Sequence, residues 1–566
     1  MTDESFSLWM DDFFRSYFQF RPVNATFAGI HKFDAKLPDY SEQGLEALRA
    51  NMEKLLERSE RGLQTTNAIE KIDLDLATNF LLIQLEELKS EHYQRGNPAV
   101  YSSEAIFGLI SLCLREFAPT TKSLAAMVGR MKEIPIFLGE GESNVRSAPE
   151  EWTNEAIRQC DGAIKFLDQG LEVLISNWEL PGSTYQLNDS ARSAIDAFKG
   201  YREYLSKELL LYKREQYGCG SPLFNILLRQ GHAFEDMDVE KLATFGRKRV
   251  GQQKDLLWQA TLKIRRDGNW EQVVSDLSRM HPAEDSILAS CQECWTECRR
   301  VAIEKNLIEW PDYPLIFKFI DPYFREAAPY LYFLYYRSPA PYDNIKTNYY
   351  LISPIEQNLQ PQELEQKLRG ISFATIKQNH VVHHGAIGHH VQNYYAYHGV
   401  SSVGRIAGVD CASRIAMFCG GTMAEGWATY ATHLMDEVGF NTPEEHVAQL
   451  HSSMRLTARS VVDANLHSGH FSFNNAVSYY VAEIGMTPKA AYSEVVKNSM
   501  FPCTGAMYFL GLDAILKLRS EISKKEGIGF SLKRFHGLLL NYGSIPIPIV
   551  SRALLGGRSY GLAAGE

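Results

Sequence analysis

Apolar residues return every three or four positions over most of the chain. Leu45, Leu48, Met52, Leu55 and Leu56 fall on one face, as an amphipathic helix requires, and Ser41 followed by Glu42 reads as its cap. Residues 72–88 repeat the pattern, with Asp73 and Asp75 in the first turn, where carboxylates favour the helix dipole. An aromatic-rich helix is predicted before them, from Phe6 to Phe20, ended by Arg21-Pro22. From residue 104 to 307 the helical text continues, punctuated by Gly139-Glu140-Gly141 and Pro181-Gly182-Ser183, without the fixed period of a solenoid.

The texture changes between residues 310 and 354. The runs 315–320, 330–336 and 347–352 are short, aromatic or β-branched, and bounded by Pro and Asp, which predicts three strands. The last third is helical again, and Gly556-Gly557-Arg558 opens a mobile tail. The expected architecture is mainly α: an N-terminal helical region (1–310), then a region (311–566) with a small antiparallel sheet and C-terminal helices, the two forming one continuous body.

Composition narrows the function classes. Hydrophobic content of 45% and charged content of 22% are those of an ordinary folded protein, and a net charge of −10 argues against the basic stripe of a nucleic-acid surface. No apolar run reaches the roughly 18 residues of a membrane span, and Met1-Thr2-Asp3-Glu4-Ser5 carries acid where a secretory signal carries base. A cytoplasmic protein without nucleic-acid or membrane partners is expected. Nine cysteines are too sparse for a disulfide scaffold. Cys291, Cys294, Trp295 and Cys298 instead form a helical stripe of core thiols, and His232, Glu235 and Asp236 read as a solvated helix start.

Chemistry concentrates between Asn379 and Gln392, where His380, His383, His384, His389 and His390 supply five of the sixteen histidines. Each buried imidazole needs partners for two ring nitrogens, so such density points to a transition metal. Spacing leaves the ligands open. His383 and His389 lie about 120° apart around a regular helix, whereas His380 and His384 sit at i, i+4. Gly385 and Gly388 offer a bulge that turns the first pair the same way. Glu425, after Gly420-Gly421-Thr422, is either a dipole partner at a helix start or a third ligand, and His433 and Asp436 lie beyond it as possible orienting groups.

His383-His384-Gly385-Ala386-Ile387-Gly388-His389-His390-Val391-Gln392 resembles the H-E-[AG]-x-P-G-H-H-x-Q signature of the domain of unknown function 885 family, and Glu425-Gly426-Trp427-Ala428 resembles its E-G-W-A segment. The likeness spans most of the chain, from Pro22, Ala25, Gly29, His31 and Asp34 to Val462-Asp463, Leu466-His467, Phe535-His536 and Gly543-Ser544-Ile545-Pro546. It implies a helical, gluzincin-like metallopeptidase fold with His383, His389 and Glu425 as metal ligands and Tyr508 as an active-site hydroxyl. Zinc is the implied metal, with iron or manganese as alternatives. The chain departs from the pattern at the catalytic glutamate, which is His384, at the proline, which is Ile387, at a Gly-Gln pair, which is Cys503-Thr504, and at an arginine, which is Lys497.

Three functions follow as expectations. The first is a metal-dependent hydrolase of a small peptide or amide, with His384 as base, Tyr508 supporting an oxyanion and Lys497 meeting a substrate carboxylate. The second is a repurposed oxygenase, cyclase or lyase acting on an amino-acid-derived small molecule, with His384 as an extra nitrogen ligand. The third is a catalytically inactive binding protein.

Overall fold

The computed structural model of the chain describes residues 5–114, 120–177, 184–331, 340–343, 347–412 and 414–556. It is predominantly helical, with one sheet of two strands, β1 (Leu315–Phe319) and β2 (Asn348–Ile352). No helix among the described residues is long and apolar enough to cross a membrane. The chain divides into two compact units, each assembled from three stretches: Met1–Cys219, Ile320–Ile345 and Val409–Ala416 in unit 1, and Gly220–Phe319, Lys346–Gly408 and Met417–Glu566 in unit 2.

Unit 1 begins as the apolar pattern predicts. Helix Phe6–Phe20 buries Trp9, Phe13 and Tyr17, and helix Glu42–Glu60 is capped by Ser41, whose hydroxyl accepts from the Gly44 amide at 3.1 Å. The predicted 72–88 helix runs over Ala68–Lys89, started by Asn67. Gly139-Glu140-Gly141 does not interrupt the chain, contrary to expectation. Helix Thr120–Asn144 passes through it; at Gly141 a Cβ would come within 2.8 Å of the Tyr101 ring, whereas Gly139 faces open space. Pro181-Gly182-Ser183 and the tail from residue 557 lie outside the described residues.

The opening motif of unit 1 is held by two polar centres. Arg130, wholly buried, donates to the carbonyls of Pro22 (3.2 Å) and Lys36 (3.0 Å) and to the hydroxyls of Thr26 (2.6 Å) and Ser111 (3.0 Å). His31 stands between two carboxylates, Nδ1 at 2.9 Å from Asp34 and Nε2 at 2.7 Å from Asp343. Both ring nitrogens face acceptors, so the imidazolium is the form that satisfies the site.

Unit 2 is built around helix Pro443–His467, with Val239–Leu262 and Ala506–Glu526 among its neighbours. Glycine allows the close crossings. A Cβ on Gly426 would lie 2.5 Å from the Gly511 Cα, so helices Gly421–Glu437 and Ala506–Glu526 meet backbone to backbone. Cys291 and Cys298 are buried in helix Ile287–Glu304 and all three of its cysteines are free, consistent with a packing stripe. His232 is not solvated as expected: it is fully buried, with Nε2 at 3.1 Å from the Cys503 carbonyl and its ring against Phe418.

The sheet is parallel, which corrects the antiparallel expectation. Leu315 pairs with Asn348 and Phe319 with Ile352 in the same direction. A parallel pair needs a long crossover, and here the intervening stretch Ile320–Ile345 belongs to unit 1. Within the third predicted strand, Tyr330 closes a 3-10 turn (Ala328–Tyr330), and residues 332–336 lie outside the described residues.

Between His383 and His389 the helix breaks. Ile376–Gly385 is a π-helix and a new α-helix starts at His389. The Ala386 amide reaches back to Val381 (2.8 Å) and the Gly388 amide to Val382 (2.9 Å), so the turn is wider than an α-turn. A Cβ at Gly388 would stand 1.9 Å from the His383 carbonyl oxygen, so only glycine fits. Carbonyls freed by the break are taken by indoles: Trp295 Nε1 donates to Gly385 O and Trp427 Nε1 to Ile387 O, both at 2.8 Å.

His31 has its pKa raised from 6.5 to about 9: burial opposes the charge, but the bonds to Asp34 and Asp343 outweigh it. The folded value lies above the unfolded one, so the stabilisation is complete below pH 6.5 and is lost as pH rises through about 9. In urea unfolding, His31→Gln is expected to lose about 1 kcal/mol near pH ~6, after allowance for solvent screening, and almost nothing near pH ~10. Equal losses at both would show that the ring acts by shape alone. At the break, Trp427→Phe keeps the ring and strands the Ile387 carbonyl, at an expected cost of about 1–3 kcal/mol in the same assay. Gly388→Ala is expected to cost more than Trp427→Phe, because backbone itself must move.

Candidate metal centre

The break brings His383 and His389 to one place, although they occupy different helices. His383 ends the π-helix and His389 begins the next, so the angular separation of a continuous helix no longer applies. Their Nε2 atoms lie 3.6 and 3.4 Å from Glu425 Oε2. Glu425 sits in the second turn of helix Gly421–Glu437, past the amides that a dipole partner would serve. His384 joins the group: one ligand atom from each of His383, His384 and His389 falls within 4.8 Å of the other two.

The remaining histidines of the cluster are structural. His390 is buried, stacked on Tyr313 with ring centroids 4.7 Å apart, and its Nε2 meets the Tyr313 carbonyl at 2.7 Å. His380 turns its Nδ1 to the Tyr350 hydroxyl of β2 at 2.8 Å and is not one of the three converging rings. The i, i+4 pair His380/His384 is therefore not the pair that converges.

A metal fits these atoms on three counts. Glu425 Oε2 is buried and has no hydrogen-bond partner, and the two nitrogens that face it stand too far for good hydrogen bonds. Separations of 3.4 and 3.6 Å instead match the edge of a tetrahedron with bonds of about 2.0–2.2 Å. Protonation agrees as well. Burial holds the His383 pKa low against the pull of Glu425, and burial with its two neighbouring imidazoles holds His384 well below the ordinary value. Glu425 is driven well down because His389 and His383 outweigh the burial that would raise it. Neutral His383 and His384 beside an ionised carboxylate match the state that a metal requires.

His384 has a defined tautomer. Its Nδ1 lies 2.7 Å from the Asn379 carbonyl, which can only accept, so the proton is on Nδ1 and the lone pair on Nε2. The other site candidates lie on neighbouring helices. The Tyr508 ring is covered by the Arg459 guanidinium, 4.9 Å from its centroid. Arg459 Nε pairs with Glu494 at 2.6 Å, and this charge holds Glu494 at about 2 despite burial that would raise it. Lys497 stands one turn beyond Glu494 and contributes to the same effect. Asp436 is occupied by His446 (2.6 Å) and Asn441 (2.9 Å), so it orients no metal ligand.

Arg459 was not singled out in the sequence, and Trp295 was read there only as part of a core stripe. Arg459 carried a usable signal, since it lies one helical turn before Asp463 of the Val462-Asp463 motif and its charge acts on His383. Asp463 accepts from the Cys503 (3.0 Å) and Ala506 (3.2 Å) amides and so caps the helix that carries Tyr508. Cys503 has φ +62°, left-handed backbone that favours glycine, which agrees with the glycine the resemblance led one to expect there.

Two solved structures share the whole fold. A protein from Shewanella oneidensis described as a "putative lipoprotein of unknown function" superposes with a TM-score of 0.77 at 20% identity, over 97% of this chain and 100% of its own. A "putative lipoprotein" from Colwellia psychrerythraea gives 0.78 at 17% identity, over 98% and 99%. At these identities the likeness is one of fold. No curated protein matches the sequence. The profile of the family described as "Bacterial protein of unknown function (DUF885)" matches residues 22–554, nearly the full length, and the chain belongs to that family.

Proposed function

We propose that the protein is a metal-dependent hydrolase of small peptides or amides. The observation that carries this reading is the convergence of His383 Nε2 and His389 Nε2 on the orphaned Glu425 Oε2. Bound to these three residues, a divalent ion, zinc first and iron or manganese otherwise, supplies a Lewis acid and a water of lowered pKa. His384 Nε2, its lone pair exposed by the Nδ1 bond to Asn379, takes the proton of the attacking water and returns it to the leaving amine. Tyr508 donates its hydroxyl to the oxyanion, and Arg459 over its ring favours that charge. Lys497 meets the substrate carboxylate as a point charge.

A second reading has its own support. One ring nitrogen of each of the three imidazoles lies within 4.8 Å of the others, so His384 can serve as a third nitrogen ligand, and a nitrogen-rich site suits iron or copper. The protein would then be a repurposed metalloenzyme acting on an amino-acid-derived small molecule. Elemental analysis separates the two. The first reading expects about one zinc per chain, lost in His383→Ala and Glu425→Ala but retained in His384→Ala, which lowers amide hydrolysis about 100- to 10,000-fold. His384→Glu is then expected to raise cleavage of short peptides. Loss of metal in His384→Ala, with iron or copper in the wild-type chain and oxygen consumption, would select the second.

A further inference from the structure

Positive charge gathers beside the candidate centre, although the chain as a whole carries −10. Arg455 and Arg459 stand one turn apart on helix Pro443–His467, and Glu494 and Lys497 one turn apart on helix Pro488–Met500. The two helices are joined at Arg459 and Glu494, where Oε1 lies 2.6 Å from Nε and Oε2 accepts from Nη2 at 3.1 Å. These four residues bring three cations to one carboxylate. The Arg459 and Glu494 side chains are each 12% exposed, and Arg455, Lys497 and Tyr508 are half-buried, so the group borders solvent and is not sealed in the core.

A chain of contacts leads from this group to the metal ligands, all within unit 2. Arg459 covers the Tyr508 ring, 4.9 Å from its centroid. Tyr508 follows Met507, whose side chain packs on Gly421, and precedes Gly511, whose Cα a Cβ on Gly426 would approach to 2.5 Å. Gly421 and Gly426 flank Glu425 on helix Gly421–Glu437. Tyr508 therefore lies on its own helix between the two points that touch the helix of Glu425. The effect of the Arg459 charge on His383 agrees with that route.

The cations are also held in place. Asn498, next to Lys497, accepts from the Tyr480 hydroxyl at its side-chain oxygen (2.8 Å) and from His467 Nε2 at its carbonyl (2.9 Å). His467 shares a helix with Arg459, so the helix of Lys497 is fastened to that of Arg459 at a second point. Asp463, one turn beyond Arg459, is wholly buried and faces the amides of Cys503 and Ala506 instead. Fixed like charges on one side of a site raise the local concentration of anions and reject ligands without them, and their ordering is complete before a ligand arrives. A single substrate carboxylate needs one of the three cations. The other two suit a second.

We propose that the amide substrate bears two carboxylates on its leaving side, as a peptide with a C-terminal aspartate or glutamate does, and that Arg455, Arg459 and Lys497 select it. Lys497 meets the terminal carboxylate and the two arginines attract the side-chain carboxylate. The inference rests on the hydrolase reading for what becomes of the bound molecule, whereas the selection itself is a matter of binding.

The test is calorimetric titration of the full-length His384→Ala chain, supplied with zinc and without the base that turnover needs, with glycyl-aspartate and glycyl-glutamate and with their amide counterparts glycyl-asparagine and glycyl-glutamine. Each acidic dipeptide is expected to bind at least about thirtyfold more tightly than its amide counterpart. That ratio is expected to fall about tenfold when Arg459→Gln or Lys497→Met is added. If Arg459→Gln does not fold, Lys497→Glu, at a half-buried position, is expected to abolish the preference. Cleavage of the four dipeptides by the wild-type chain is followed separately. With the ratio intact, selection of the dicarboxylate stands even where none of the four is cleaved, and only the hydrolase reading then falls. Equal binding of acidic and amide dipeptides, a ratio indifferent to the lysine and arginine substitutions, or no binding of any of the four would overturn the proposal.

Discussion

The approach of the Gly388 backbone to the His383 carbonyl is the constraint on which the centre depends. Two rings six residues apart cannot serve one ion from a regular helix, and the wide turn that lets them converge frees carbonyls that must be paired inside the protein. Trp295 and Trp427 pair them. Because Trp427 stands two residues after Glu425, one helix supplies both the proposed carboxylate ligand and the clamp on the turn that presents His383 and His389. Gly426, between them, lets that helix touch Gly511 and so brings in the helix of Tyr508. Each residue of the Glu425-Gly426-Trp427 run therefore has a separate mechanical task.

Supports continue outward in the same manner. His536 ties the Tyr430 hydroxyl (2.8 Å) to the Leu307 carbonyl (2.6 Å) beneath Trp427. Gln392 donates to Ser544 at 2.8 Å, which fastens the second metal helix to the Gly543-Ser544 corner. These bonds fix the directions of side chains that would otherwise wander by more than a metal tolerates.

What the sequence made legible follows from the range of the forces involved. Helices capped by Ser41 and Asn67 were readable because period and cap are local. The parallel pairing of β1 and β2 was not, since strand direction is set by the route of the intervening chain and five-residue strands carry no mark of it. Gly139-Glu140-Gly141 resembled punctuation, and only the Tyr101 ring across the helix explains why glycine is there. The histidine cluster was conspicuous, but choosing three of five rings required the π-turn. Burial of His232 depends on Phe418 and the Cys503 carbonyl, both remote in sequence.

In the proposed metal centre, a histidine at 384 in place of a glutamate would change charge as well as chemistry. A divalent ion held by two neutral imidazoles and one carboxylate leaves a surplus of one positive charge, which an adjacent glutamate would cancel and a neutral imidazole does not. Arg459 lies near enough to act on His383 in the same sense. At about 4 Å and an effective dielectric of about 20, one unit of charge is worth about 4 kcal/mol to an anion. With His384 in place, the proposed centre should therefore hold carboxylates and other anions more firmly than one with a glutamate at that position. A neutral amide gains less from that surplus than an anion does, so under the proposed hydrolase reading substrate or product carboxylates would compete for the position a scissile carbonyl must occupy.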